Sequence, residues 1–220
     1  MSSVKGQRGR VSTEDVVAAA VEIADREGVD ALTIRAVAAA CGLSPMGIYR
    51  HVRDKDELLD RVVDAVAMAI GDVDATGTWR DKLIALFRDC RRVLLDHPGV
   101  ASLSVSRPTP VAGVARFYDR VLEALGEGGF DGIEAVKALD TLLMFVFGSV
   151  LWQIPRAETE RERLIRVVVA DPDRTSHLIQ QAGELARRDP EEYFEHGLET
   201  ILMGLEARWP KNGRSRSSSR

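Results

Sequence analysis

The sequence predicts an all-α fold, in which a three-helix helix-turn-helix domain is joined by a long helix to a larger helical bundle. Apolar residues recur at helical spacing along almost the whole 220-residue chain, and no segment alternates with the period of a strand. Two short helical segments flank a tight turn at 41–43, an arrangement typical of a helix-turn-helix. Long apolar helices predicted over 131–154 and 190–209 require a second core.

The composition is that of an ordinary globular protein, with 45% hydrophobic and 29% charged residues. We expect none of the apolar runs to be long enough to span a bilayer. The polar, basic N-terminus lacks the apolar core of a signal peptide. Because Cys41 and Cys90 lie far apart and form no disulfide framework, we expect a cytoplasmic protein without a membrane partner.

The net charge of -4 does not by itself favour nucleic acid, but the charges are unevenly distributed. Acidic residues concentrate on the first predicted helix, whereas Arg50, Arg53 and Lys55 lie at the end of the third helix and in the turn after it. A local positive face can contact phosphates even on a nearly neutral domain.

The first two helices have recognisable start and stop signals. Ser12, followed three residues later by Asp15, predicts a capping arrangement, and Gly28 predicts the end of the first helix. Thr33 caps a second helix that we expect to end near Ala40.

The third and fourth helices begin at Ser44-Pro45 and at Asp54, each with a capping side chain. After Gly71 the composition loosens, and we place a domain junction there. The expected divisions are a flexible basic arm (1–11), the helix-turn-helix domain (12–72), the larger domain (73–209) and a disordered basic tail (210–220).

Further helices are predicted in the larger domain, with breaks at 97–99 and 107–110 and a charged, mobile loop at 158–172. These helices cover 79–96, 112–125, 131–154, 175–188 and 190–209.

A helix-turn-helix reads DNA with the N-terminal part of its second helix, here Ser44 to Gly47. Apolar side chains there suit thymine methyl groups, and the glycine allows a close backbone approach. Tyr49 and Lys55 suit phosphates, and Arg50 suits a phosphate or a guanine edge. The predicted DNA contacts are Thr33, Arg35, Ser44, Pro45, Met46, Gly47, Tyr49, Arg50, His51 and Lys55.

Each of these residues also has a simpler interpretation. Short alanine-rich helices occur in ordinary bundles, Tyr49 could be a half-buried aromatic, and a run of charges is usually a solvated face. Their combination at this spacing favours DNA binding.

The run from Val16 to Leu59 resembles the N-terminal domain of the TetR family of bacterial transcriptional regulators. The similarity covers the first helix, the helix entry at 32–35, the turn at 41–44, and the segments 48–52 and 55–59. The family's usual aromatic after the histidine is Val52 here, as in a subset that includes the tetracycline repressors. The resemblance implies binding to a double-stranded operator as a homodimer, usually repression, and release by a small molecule.

Residues 79–155 resemble the C-terminal domain of the tetracycline-repressor class, which implies a ligand-binding and dimerisation domain. The resemblance places two helices of each subunit, here near 131–154 and 190–209, in a four-helix dimer interface. A two-fold dimer aligns two recognition helices with successive major grooves, roughly 34 Å apart.

The residues that hold magnesium-bound drug in tetracycline repressors are missing. By the resemblance, one such histidine falls on Leu103, and two further drug contacts fall on Met144 and Trp152, whereas Arg107 is retained. Magnesium needs oxygen ligands, so we expect no metal, no cofactor and no tetracycline.

We therefore expect a mostly apolar pocket for a hydrophobic or aromatic effector, although such a stripe more often forms plain core. His97 is expected to end a helix and Cys90 to pack as a small apolar residue. The candidates for the pocket are Phe87, Cys90, Leu94, Leu103, Arg107, Phe117, Met144, Phe147 and Trp152.

An all-helical enzyme and a protein-binding adaptor are the alternatives to a repressor, together with an activator of the same fold. The four histidines are scattered without metal spacing. No glycine-rich phosphate loop follows a strand, and no nucleophile elbow is present. We expect no catalytic residue, and the sequence leaves open whether the basic tail contacts DNA.

Overall fold

The computed structural model describes residues 11–71, 77–107, 110–153 and 176–208. Its regular elements in those ranges are α-helices and one 3₁₀ turn at Val29–Ala31, so the predicted all-α fold is confirmed. The helices are α1 Thr13–Glu27, α2 Ile34–Ala40, α3 Pro45–Ile48, α4 Lys55–Met68, α5 Trp79–Asp96, α6 Pro98–Ser106, α7 Ala112–Glu127, α8 Gly132–Gln153, α9 Ser176–Gln180, α10 Ala182–Ala186 and α11 Pro190–Arg208.

The predicted caps of the first helices are present. The Asp15 amide donates to Ser12 Oγ at 3.1 Å and the Ser12 amide donates to Asp15 Oδ2 at 2.8 Å, which completes a capping box. At the start of α2 the Ala36 amide donates to Thr33 Oγ1 at 3.1 Å. These local bonds satisfy amides that a helix leaves without internal partners.

The structure corrects the predicted helix boundaries at two places. Pro98-Gly99 was interpreted as a chain break, but Pro98 is the first residue of α6, where its missing amide hydrogen costs no helical bond. Helix α3 ends at Ile48, and the next amides bond three residues back, as when His51 N donates to the Ile48 carbonyl at 2.8 Å. Arg50 therefore follows the helix instead of ending it.

Near the C-terminus, the single helix predicted over 175–188 is two short helices, α9 and α10, separated at Gln181. The predicted loop at 158–172 and the tail at 210–220 lie outside the described residues, as does the arm except for Val11.

Two groups of buried side chains merge into one core. The first lies between α1, α2, α3 and α4 and includes Val16, Val37 and Ile48. The second lies between α5, α7, α8 and α11 and includes Leu83 and Leu142. Helices α4 and α6 pack against both groups, so the core is continuous.

Helix α8 corrects the expectation that no apolar run could span a membrane. By length and composition alone, Gly132–Gln153 is long and apolar enough, with a mean hydropathy of 1.6. Core helices of soluble proteins pass the same test. Here α8 packs against α5, α6, α7 and α11, and its buried residues include Ala138, Leu142 and Val146.

Ion pairs fasten α11 to α5. The Arg91 side chain is 4% exposed, pairs with Glu191, and lies 4.6 Å from the centre of the Phe194 ring. Arg88 pairs with Glu195 at 2.6 Å further along the same two helices. The buried arginine and its aromatic contact set the position of α11 more firmly than the exposed pair.

Two glycines allow close contact between the small and the large groups of helices. A Cβ built on Gly99 would overlap the Ala24 carbonyl oxygen of α1. A Cβ built on Gly113 would lie 2.8 Å from the Met68 amide nitrogen of α4. At both places the backbone of the neighbouring helix occupies the space that a side chain on the glycine would need. The absence of that side chain lets α6 contact α1 and α7 contact α4.

We expect Gly99→Ala to lower the free energy of unfolding by about 1–3 kcal/mol, because the added methyl group forces α6 away from α1. The control is Gly126→Ala, whose Cβ would meet nothing within 4 Å. It should stabilise the protein by roughly 0.5–1 kcal/mol through reduced chain entropy. Thermal unfolding of both variants measures their stability. Equal stability of the two variants would contradict the close contact between α6 and α1 at Gly99.

Candidate functional site

The helix-turn-helix is formed by α2, α3 and a glycine turn between them. Gly42 has a φ of 64°, in the left-handed region that favours glycine. The Leu43 amide donates to the Ala38 carbonyl at 2.8 Å and closes the turn. Val37 and Ile48 are buried beneath it, which fixes the angle between the two helices.

The N-terminal part of α3 stands in solvent. Ser44, Pro45 and Met46 are exposed, and the Met46 side chain is 76% accessible. The Ser44 hydroxyl accepts the Gly47 amide at 3.1 Å, so it caps the helix while staying at the surface. Tyr49 is 49% exposed, so its side chain is partly covered and partly open to an external partner.

The remaining predicted DNA contacts lie around this helix. Thr33, Arg35, Arg50 and Lys55 are exposed, and Lys55 is the first residue of α4. The His51 ring is half-buried, with Nδ1 3.2 Å from Thr13 Oγ1 of α1. That contact orients the imidazole and leaves its other nitrogen for an external partner.

Glu57 is a structural residue of this region that the sequence analysis missed. Its carboxylate accepts bonds from the Arg53 amide at 2.8 Å and from the Arg53 and Arg61 side chains. The bonds from Arg53 and Arg61 lower the pKa of Glu57 to about 2. Glu57 therefore stays ionised and holds Arg53 against the start of α4; the spacing Arg53-Glu57-Arg61 was its sequence signal.

An apolar cavity of about 720 Å³ lies between α4, α5, α6, α7 and α8. Five of the residues predicted for a pocket line it: Cys90, Leu94, Phe117, Met144 and Phe147. Its volume is within the range of cavities that take drug-sized molecules.

Four predicted pocket residues do not line this cavity. Phe87 is wholly buried and meets the Phe117 ring edge-on, and Leu103 is buried in α6. Arg107 points to α4, where it pairs with Asp56 at 2.6 Å. Trp152 is 57% exposed on the outside of α8.

The cavity also has lining residues that the sequence analysis missed. Helix α4 contributes Val63, Val66 and Ala67, spaced for one helix face, and Ile70 follows the end of that helix. The helical spacing of Val63 and Val66 predicts that both lie on the buried side of this helix. Only the packing of α7 on α4 shows that the face is shared.

Cys90 faces the cavity as a neutral thiol. Burial raises the pKa of Cys90 to about 12, so the reactive thiolate is scarce at neutral pH. Within the described ranges, no three histidine, cysteine, aspartate or glutamate side chains stand close enough together to hold a metal ion.

Polar bonds join α1 to α6 and α4 to α7. On α1, the Asp25 carboxylate lies 2.7 Å from His97 Nδ1 and accepts the Gly99 amide at 3.1 Å, next to the start of α6. On α4, the Asp64 carboxylate accepts the Gly113 amide of α7 at 2.7 Å. Both acceptors bond to backbone, which fixes the helices themselves and not only their side chains.

Comparison with known proteins agrees with this geometry. Residues 16–62 match the family described as bacterial regulatory proteins, tetR family. Residues 73–209 match the tetracyclin repressor-like C-terminal domain.

The chain belongs to the TetR family of bacterial transcriptional regulators.

Its relatives are regulators and not enzymes. An HTH-type transcriptional regulator of Saccharopolyspora erythraea is 31% identical, over 90% of this chain and 85% of the relative. The class A tetracycline repressor from transposon 1721, in Escherichia coli, is 30% identical over 90% and 92%. The crystal structure of Streptomyces coelicolor ActR in complex with actinorhodin has a TM-score of 0.78 and 28% identity, over 90% of this chain and 98% of that one.

This TetR-family protein is thus a DNA-binding transcriptional regulator. We expect Tyr49→Ala and Lys55→Ala to weaken binding to all DNA sequences similarly, because both side chains are suited to phosphates. For Lys55→Ala the slope of log affinity against log salt should fall by about one. Fluorescence anisotropy on specific and random duplexes at several salt concentrations measures both effects.

Arg92→Gln is the control for these variants, since Arg92 lies on α5 and pairs within its own helix with Asp89 and Asp96. It should leave DNA affinity unchanged. A changed sequence preference in Lys55→Ala would contradict the phosphate role.

Proposed function

We propose that this regulator is a homodimeric repressor that leaves a palindromic operator when a small, largely hydrophobic effector occupies the cavity. The observation that carries the proposal is the double role of α4. Leu58, Leu59 and Val62 lie in the core beneath the helix-turn-helix, while Val63 and Val66, on the same helix, line the cavity.

An occupant of the cavity would touch α4 directly. The neighbouring side chains are close-packed and do not absorb an added volume without moving, so an effector that exceeds or reshapes the cavity of about 720 Å³ displaces α4 relative to the other helices that line it. Lys55 begins α4 and the Asp54 cap follows α3 closely. A shift of α4 therefore changes the position of the DNA-facing residues.

The bonds at Asp25 and Asp64 make the response to the effector a switch between two arrangements of the helices. Each carboxylate holds the N-terminal part of a cavity helix through an amide. An effector changes the equilibrium only by as much as its affinity differs between the DNA-bound and released arrangements. Effector affinity must therefore be higher when α4 is displaced.

The chemistry of the cavity suggests the kind of effector. Its lining is mostly aliphatic and aromatic, with few polar groups, which suits a molecule with a large apolar surface. The structure of ActR in complex with actinorhodin shows that another protein of this fold holds a small molecule.

Exposed apolar side chains support the homodimer. Ile133 and Val136 on α8, with Tyr193 and Met203 on α11, are exposed in the single chain. Exposed apolar residues on two adjoining helices are typical of an interface. Repression agrees with the names of relatives such as the class A tetracycline repressor.

The test is operator selection from random DNA, followed by a ligand-release screen. We expect a palindromic site whose half-sites are about one helical turn apart, bound by a dimer with a strong salt dependence. Apolar aromatic compounds should release it. A dimer that binds no DNA at low salt would contradict the proposal, as would release only by polar compounds.

We expect magnesium-tetracycline not to release the protein from its operator. Leu103 is buried in α6 and Trp152 lies outside the cavity, so neither replaces an oxygen or nitrogen ligand of the metal. Release is measured by anisotropy, with the class A tetracycline repressor as positive control. Release of both proteins at the same drug concentration would contradict this expectation.

A further inference from the structure

Among the described residues that line the cavity, Asp140 of α8 is the one charged side chain. No lysine, arginine or histidine is among the lining residues that the structure describes. The other side chains able to form polar bonds there are Cys90, Ser104 and Tyr118.

Two of these polar groups are unavailable or weak partners for a ligand. The Ser104 hydroxyl already donates to the Val100 carbonyl of its own helix at 2.9 Å. Cys90 is a buried neutral thiol, which is a weak hydrogen-bond donor. A polar group on a ligand therefore finds its strongest partners at Asp140 and Tyr118.

Asp140 belongs to the face of α8 that lines the cavity. Leu143, Met144, Phe147 and Leu151 follow it at helical spacing, and all of them line the cavity. A carboxylate in an otherwise apolar stripe is not required by packing. In the part of the chain that the structure describes, no hydrogen bond or ion pair engages it.

Asp140 and Tyr118 lie together at the opening. Asp140 and Met144 are exposed and Tyr118 is 36% exposed, whereas Phe117 and Cys90 are buried at the inner end. Burial, and then the charge of Asp140, raise the pKa of Tyr118, which places the phenol within the electrostatic reach of the carboxylate. The opening thus presents one negative charge and one neutral hydroxyl.

We propose that Asp140 selects the charge of the effector, so that the cavity takes a largely apolar aromatic molecule bearing a protonated amine. The inference rests on the proposed effector site. The ring system lies among Phe117, Leu143 and Phe147, and the ammonium group donates to Asp140. A carboxylate or sulfonate on the same ring system meets a like charge and no compensating base.

The size of the expected charge preference follows from the position of Asp140 at the opening of the cavity. A hydrogen bond to a charged group contributes on the order of tenfold or more in affinity. Solvent reduces this gain at a partly exposed site. We therefore expect a protonated amine to bind about tenfold more tightly than a matched carboxylate.

The experiment uses the full chain without DNA and the neutral fluorophore N-phenylnaphthylamine, whose emission rises in apolar surroundings. Three competitors with one ring system displace it: naphthylethylamine, naphthylethanol and naphthylacetic acid. At neutral pH the first is cationic, the second neutral and the third anionic. The expected order of affinity is amine, alcohol, acid.

Asp140→Asn should remove the difference in affinity between the amine and the acid, each expressed as a ratio to the affinity of the neutral alcohol for the same variant. The matched control is Asp119→Asn, since Asp119 is exposed on α7 and does not line the cavity. That variant should keep the preference of the unmodified protein. A preference that persists in Asp140→Asn, or none in the unmodified protein, would overturn the inference.

The outcomes separate this inference from the proposed function. If the fluorophore binds but the amine, the alcohol and the acid displace it with equal affinity, only the role of Asp140 is wrong. If the fluorophore shows no saturable binding, the effector cavity itself is wrong and both proposals fall. Because DNA is absent, failure of release from the operator would not affect the measurement.

Discussion

Helix α4 packs against both groups of buried side chains that form the core, and the rest of the structure depends on this double packing. One part of its apolar face covers the helix-turn-helix, and the adjoining part, from Val63 to Ala67, lines the cavity. Gly113 lets α7 approach the α4 backbone, so the two helices touch without an intervening side chain. Because buried contacts of this kind do not compress, this contact is the basis of the proposed coupling between the cavity and the residues proposed to face DNA.

The polar bonds between the helix groups differ in how much they contribute to stability. Asp25 and Asp64 accept backbone amides at partly buried positions, where loss of the acceptor leaves an amide without a partner. The pair between Arg107 and Asp56 is largely exposed, so solvent and salt screen it. The two aspartates therefore set the geometry between α1 and α6 and between α4 and α7, and Arg107 adds little to stability.

Local signals predicted much of the fold, because caps and turns depend on residues close in sequence. Ser12, Thr33, Ser44 and the Gly42 turn were found this way. The start of α6 was missed because proline and glycine mark both helix starts and chain breaks. The cavity was predicted only in part, since helical spacing identifies an apolar face but not the helix that covers it. Phe87 and Phe117 both read as pocket residues, yet only Phe117 faces the space.

The most direct test of the account compares the affinity of N-phenylnaphthylamine for the free protein and for the protein saturated with operator. Coupling between two sites is reciprocal. If cavity occupancy displaces α4, operator-bound protein should bind the fluorophore more weakly, by the same factor by which the fluorophore weakens operator binding. Equal fluorophore affinity in both states would show that α4 does not connect the cavity to DNA, and would contradict the account.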